Sequence, residues 1–122
     1  MLHITNPHFT EQEKTLLEFI LQYDFAEKEL AVTRLNSLKA EEIIRDVTPY
    51  YHIMEFRTPD MPEGYDGMRE VMHLQVTRDG IPTIFTLYQR REQVFEYEIF
   101  RADSSALDLK KELQGEVTLH KP

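Results

Sequence analysis

The spacing of apolar residues changes period near residue 40, and this confines the chain to folds with helices and strands in separate stretches. Before that point the period is helical. Leu16, Leu17, Ile20 and Leu21 fall on one stripe, with Glu13, Lys14 and Glu18 away from it, which predicts a helix over 10–22. Thr10-Glu11-Gln12-Glu13 has the form of a capping box: the hydroxyl accepts from the N–H at Glu13, whose carboxylate reaches back to the N–H of Thr10. Asp24-Phe25-Ala26-Glu27 repeats that start signal, and Leu30, Ala31, Leu35 and Leu38 predict a second helix over 25–38. With so little chain between them, the two helices are expected to form a tight corner or a hairpin.

After residue 40 the chain reads as strands. Residues 42–47 and 50–56 are rich in β-branched and aromatic side chains, separated by Thr48-Pro49, and form two strands or one bent strand. Residues 58–68 hold two prolines and two glycines, and are expected to be a loop and the moving part. Three more strands are predicted over 69–77, 81–90 and 93–101. Asp79-Gly80 is a hairpin signal between the first two, and Arg91-Glu92 a turn before the third. In the third, Phe95, Tyr97 and Ile99 alternate with Glu96 and Glu98, the pattern of a sheet with one face buried and one wet. Asp103-Ser104-Ser105 ends it with turn chemistry. The tail has residues for a short helix over 106–113 and a last edge strand over 115–120.

The expected fold is α+β: two N-terminal helices (10–38) packed on an antiparallel β-meander of about five to six strands (42–102). A lead-in (1–9) and a tail (103–122) complete a single domain of 122 residues.

Composition then removes function classes. Acids outnumber bases 22 to 14, and the net charge of -8 is spread over both halves of the chain. This argues against nucleic acid and anionic membrane as partners, since both require a basic face. The absence of cysteine removes disulfides, thiolate metal sites and Cys nucleophiles. No apolar run approaches the ~20 residues of a membrane-spanning helix, and the first residues lack the pattern of a signal peptide, so a cytoplasmic protein is expected.

Few residues suggest chemistry. The histidines are His3, His8, His52, His73 and His120. His52 and Glu55 are three apart, which on a strand sends them to opposite faces. His52 and His73 become neighbours only if strands 50–57 and 69–77 pair in the right register, which the sequence does not fix. Glu96 and Glu98 share a strand face at about 7 Å, a spacing compatible with acid–base work and also with any polar sheet face. Asp60, Glu63 and Asp66 lack the ligand spacing of a calcium loop. Ser37, Ser104 and Ser105 have no nucleophile-elbow glycines, and the four glycines are too scattered for a phosphate loop. The expectation is no catalytic residue, no metal site and no cofactor, with His52, His73, Glu96 and Glu98 as candidate binding residues.

Several of these segments resemble a bacterial family of small proteins known as a domain of unknown function. The likeness lies in Leu16-Leu17-Glu18-Phe19-Ile20-Leu21, Asp24-Phe25, Glu29-Leu30 and Leu35. It continues in Asp79-Gly80-Ile81-Pro82 and in Phe95-Glu96-Tyr97-Glu98-Ile99-Phe100, which is similar to the family's closing "ELEI" strand. It covers residues 10–105 and departs at Ala26-Glu27, where the family often has Pro-Gly. The resemblance implies a cytosolic bacterial α+β domain and no particular activity.

Two function classes follow. One is a non-enzymatic interaction module, regulatory or immunity-like, that binds a protein partner through its polar sheet face. The other is a small enzyme or ligand-binding protein with a pocket between sheet and helices, using His52, His73 and Glu98. A homodimer through an exposed edge strand is open, opposed by the charges along 112–121.

Overall fold

The structure is a computed structural model that describes residues 3–57, 68–90 and 93–120. Helix α1 spans Glu11–Leu21, and the capping box at its start is formed. Thr10 Oγ1 accepts from the Glu13 N–H at 3.1 Å, and Glu13 Oε1 accepts from the Thr10 N–H at 2.8 Å. Helix α2 spans Lys28–Ser37 and starts later than its sequence signal. Asp24 does not cap it: Glu27 stands at the N-cap position in the left-handed region (φ 62°), with no side-chain cap. The physical reason is the corner itself. Phe25 packs against the core, so the residues around it turn the chain before the helix can begin.

A 3-10 turn over Ala40–Glu42 leads into strands β1 (Ile43–Val47) and β2 (Tyr51–Phe56). They form an antiparallel hairpin, so the stretch is two strands rather than one bent strand. Strands β3 (Met68–Arg78) and β4 (Ile81–Arg90) follow, then β5 (Gln93–Arg101) and β6 (Glu116–His120). At the β3–β4 turn Asp79 and Gly80 have φ of 56° and 77°, the mirror-image turn that matches strand twist. The predicted loop over 58–68, Met68 apart, and the Arg91-Glu92 turn lie outside the described residues, as do Asp60, Glu63 and Asp66.

The six strands form one antiparallel sheet in the order β1-β2-β5-β4-β3-β6. The α+β arrangement is as expected, and its strand order is richer than a simple meander. Two runs lie side by side in chain order, β1–β2 and β3–β4–β5. The β1–β2 hairpin adds beyond β5, and β6 adds beside β3.

One face of the sheet carries the core. Met54, Phe56, Leu74, Val76, Phe85, Leu87, Tyr97 and Ile99 are buried there with Leu16, Leu17, Ile20, Ala31 and Leu35 of the helices. The Tyr97 hydroxyl donates to the Leu16 carbonyl at 2.7 Å, tying the central strand to α1. Asn6, itself buried, donates to the carbonyls of Leu35 and Leu38 at 2.9 and 2.8 Å and holds the lead-in segment to the end of α2.

Between β5 and β6 the tail runs in turns, with no helix over 106–113. Glu112 is the cause. Its carboxylate is buried, accepting from Arg101 Nη1 at 2.8 Å, Thr83 Oγ1 at 2.7 Å and the Asp108 N–H at 2.6 Å. Arg78 adds a contact at 3.2 Å. These charge-assisted bonds outweigh the propensity of a short isolated helical turn. Gly115 then lets the chain pass against β3, where a Cβ would collide with the Thr77 carbonyl.

Removing the Glu112 carboxylate strands Arg101, which is only 5% exposed. Glu112→Gln is expected to cost about 3 kcal/mol in urea unfolding. A loss below about 0.5 kcal/mol, the size of an exposed pair, would show that the tail is not held by this ion pair.

Candidate functional site

The helices cover one face of the sheet, and the outward rows of side chains follow from the strand registers. One row is Ile44, Glu55, Glu96, Tyr88 and Glu70 across β1, β2, β5, β4 and β3. The next is Asp46, Ile53, Glu98, Thr86, His73 and His120, and a third runs Tyr51, Phe100, Ile84, Gln75 and Thr118. Alternation along β5 puts Glu96, Glu98 and Phe100 on this face because Tyr97 and Ile99 are drawn into the core.

The centre of this face is a carboxylate pair. Glu96 and Glu98 are hydrogen-bonded to each other, and Tyr88 donates its hydroxyl to Glu98. Partial burial pushes the Glu96 carboxyl up to about 7, helped by the charge and hydrogen bond of Glu98 and by the charge of Glu55. The Tyr88 hydroxyl is pushed upward by burial and by Glu98, Glu70 and Glu96, so it remains a donor. Glu55 is engaged by Arg57 at 3.0 Å.

His73 lies on the same face but apart from the pair. Thr86 stands between it and Glu98, a separation of about 10 Å by strand spacing. Its Nδ1 is 3.7 Å from Glu70, and its ring packs edge-on against His120 with centroids 5.2 Å apart.

His52 lies on the opposite, helix-covered face. It is 5% exposed, with Nε2 3.9 Å from Glu13 Oε2, and among the described residues neither ring nitrogen has a hydrogen-bond partner. Glu13 is held by Arg45, whose Nε and Nη2 donate to it at 2.6 and 2.8 Å. Burial lowers the His52 pKa; Glu13 opposes the shift and Arg45 adds to it. The Glu13 carboxyl is itself lowered: burial would raise it, but the hydrogen bonds from Arg45 and Thr10 prevail.

The structure therefore brings Glu96 and Glu98 together, leaves His73 on their face and separates His52 from all three. Strands β2 and β3 are not neighbours, so His52 and His73 do not meet. Among the described residues no three His, Asp or Glu side chains are placed to hold a metal ion.

Among the described residues two cavities border the sheet. One of about 490 Å³ opens where Phe25 and Ala26 of the helical corner meet Arg69, Val71 and Met72 of β3. The other, about 300 Å³, lies on the outward face among Tyr50, Tyr51, Ile53, Glu98 and Phe100. Sequence reasoning missed Tyr88 and these aromatics as site residues. Phe100 shares the parity of Glu96 and Glu98 and was visible in principle, whereas Tyr88 and Tyr51 reach the site only through registers set by the whole sheet.

Comparisons with protein-family models, curated proteins and solved structures find no match to this chain. Among the described residues no helix is long and apolar enough to cross a membrane.

The two faces titrate in opposite senses. Glu96 has a folded pKa above its usual 4.5, so the folded state holds a proton the unfolded chain releases, and stability falls as pH rises from 4.5 to about 7. His52 has a folded pKa below its usual 6.5, so the unfolded chain takes the proton first and stability falls as pH drops through 6.5. Glu96→Gln is expected to remove the fall between pH 4.5 and 7 and gain about 1 kcal/mol at pH 8, allowing for partial solvent screening. His52→Leu is expected to flatten the acid arm near pH 5. Denaturant melts from pH 4 to 9 check both, and variant curves running parallel to wild type would rule these assignments out.

Proposed function

We propose that this protein is a non-catalytic interaction module of the cytoplasm, regulatory or immunity-like, that binds a basic protein partner through the outward face of its sheet. The observation that carries this reading is the mixture on that face. Carboxylates of Glu55, Glu70, Glu96 and Glu98 are interleaved with Ile44, Ile53, Tyr50 and Phe100, of which Ile44, Tyr50 and Phe100 are exposed. Exposed apolar side chains set among a majority of carboxylates suit a partner of the opposite sign. The overall charge of -8 supports the same polarity. Kinship with the bacterial family of small proteins, suggested by residues 10–105, belongs to this proposal and assigns no chemistry.

A pocket enzyme is the weaker reading. It needs His52, His73 and Glu98 around one cavity, and they stand on two faces of the sheet.

The test starts from a partner captured from host lysate and then purified. Wild-type affinity should fall as salt is raised, and reversing Glu96 and Glu98 to Lys should weaken it at least about tenfold, the equivalent of ~1.4 kcal/mol. Circular dichroism checks the fold, and the milder pair Glu96→Gln with Glu98→Gln, which removes the charges without setting two lysines side by side, should weaken binding in the same direction. Unchanged affinity in a folded double variant would place the interface elsewhere.

A further inference from the structure

The cavity of about 300 Å³ on the outward face has walls of two kinds. Tyr50 and Phe100 present aromatic surface to water, at 57% and 38% exposure, and Tyr51 pairs in register with Phe100. Glu98 supplies a carboxylate at one side. Asp46 stands next to the cavity, accepting the Tyr51 hydroxyl at 3.3 Å. Arg101 also borders the space, but its guanidinium is committed to Glu112 at 2.8 Å and to Ser105 at 2.9 Å. The field in the cleft is therefore set by carboxylates and ring faces.

The backbone that carries the aromatics is fixed. Thr48 Oγ1 accepts from the N–H groups of Tyr50 and Tyr51 at 3.1 and 3.2 Å, and the Pro49 carbonyl accepts from the Leu107 N–H at 2.8 Å. The tail thus braces the β1–β2 turn from outside the hairpin. Rings held in water without a partner cost free energy, and a preorganised wall is what weak cation–π attraction needs.

We infer that this cleft receives a cationic side chain, the lysine ammonium or arginine guanidinium of a basic partner, with its alkyl stem against Tyr50 and Phe100 and its charge at Glu98. The inference rests on the outward face being the partner surface. An anion is disfavoured by Glu98 and Asp46, and a neutral apolar group would leave the carboxylate facing it without an added partner. The volume, about 300 Å³, is at the small end of ligand sites and is ample for one long side chain.

The probes are N-acetyl-lysine methylamide, N-acetyl-arginine methylamide and the uncharged N-acetyl-norleucine methylamide, titrated into wild-type protein and followed by amide chemical shifts. Both cations should move the resonances of Tyr50, Tyr51 and Phe100 with a Kd of order 1–10 mM, and the norleucine amide should bind at least about fivefold more weakly. Phe100→Ala and Tyr50→Ala change exposed rings, so the fold should persist, and each should weaken cation binding about threefold or more. Equal binding of the norleucine amide, or shifts absent from these residues, would overturn the cleft assignment. The partner separates this from the wider reading. A Glu96→Lys variant that loses the partner while Phe100→Ala keeps it retains the face and removes the cleft. Cation shifts at the cleft combined with a partner indifferent to Glu96→Lys and Phe100→Ala would remove the partner-side claim.

Discussion

Tyr97 lies in the middle of the sheet with no exposed surface, and its hydroxyl donates to the Leu16 carbonyl in α1. A hydroxyl taken out of water without a partner costs a few kcal/mol, so α1 can sit on the sheet only where this bond is made. Strand alternation does the rest. With Tyr97 and Ile99 turned inward, Glu96, Glu98 and Phe100 must turn outward. Strand β5 lies between β2 and β4, so those outward residues come to stand beside Tyr51, Ile53 and Glu55 on one side and Ile84, Thr86 and Tyr88 on the other. The composition of the water-facing surface is thus a consequence of how the core is packed.

Three glutamates show how one residue type is handled in three surroundings. Glu13 and Glu112 are buried, yet their pKa values are lowered, because hydrogen bonds from arginine and backbone N–H groups outweigh the desolvation. Each fastens a part of the chain with little regular structure: Glu13 joins the lead-in and α1 to Arg45 of β1, and Glu112 joins the tail to the sheet. Glu96 has carboxylates as neighbours in place of an arginine, so its pKa rises. The first two are structural ion pairs. The third belongs to the face that the core does not use.

Much of the architecture was legible in local pattern. The capping box at Thr10, the alternation along β5 and the Asp79-Gly80 turn are each determined within a few residues, and each is present as read. Signals failed where distant groups compete. Asp24 has the spacing of an N-cap, but the core contact of Phe25 takes that stretch for the corner. Residues 106–113 have helical spacing, but Glu112 is claimed by Arg101, Thr83 and the Asp108 N–H. The site was half legible for the same reason. Glu96 and Glu98 share a face by parity alone, whereas the placing of His52 opposite His73, and of Tyr88 beside Glu98, depends on a strand order in which β2 pairs with β5.

The outward face also departs from what stability alone would select. Glutamine at Glu96 would relieve the repulsion, and smaller polar groups at Tyr50 and Phe100 would keep less apolar surface in water. Departures from local optimum that lie together on one surface are the mark of a functional region, because each is corrected when a partner of matching chemistry arrives. Carboxylates alone attract any cation, and exposed rings alone attract any apolar surface. Side by side at Glu98 and Phe100, they match the proposed occupant, a positive charge at the end of an apolar stem. A basic protein surface offers that group in quantity.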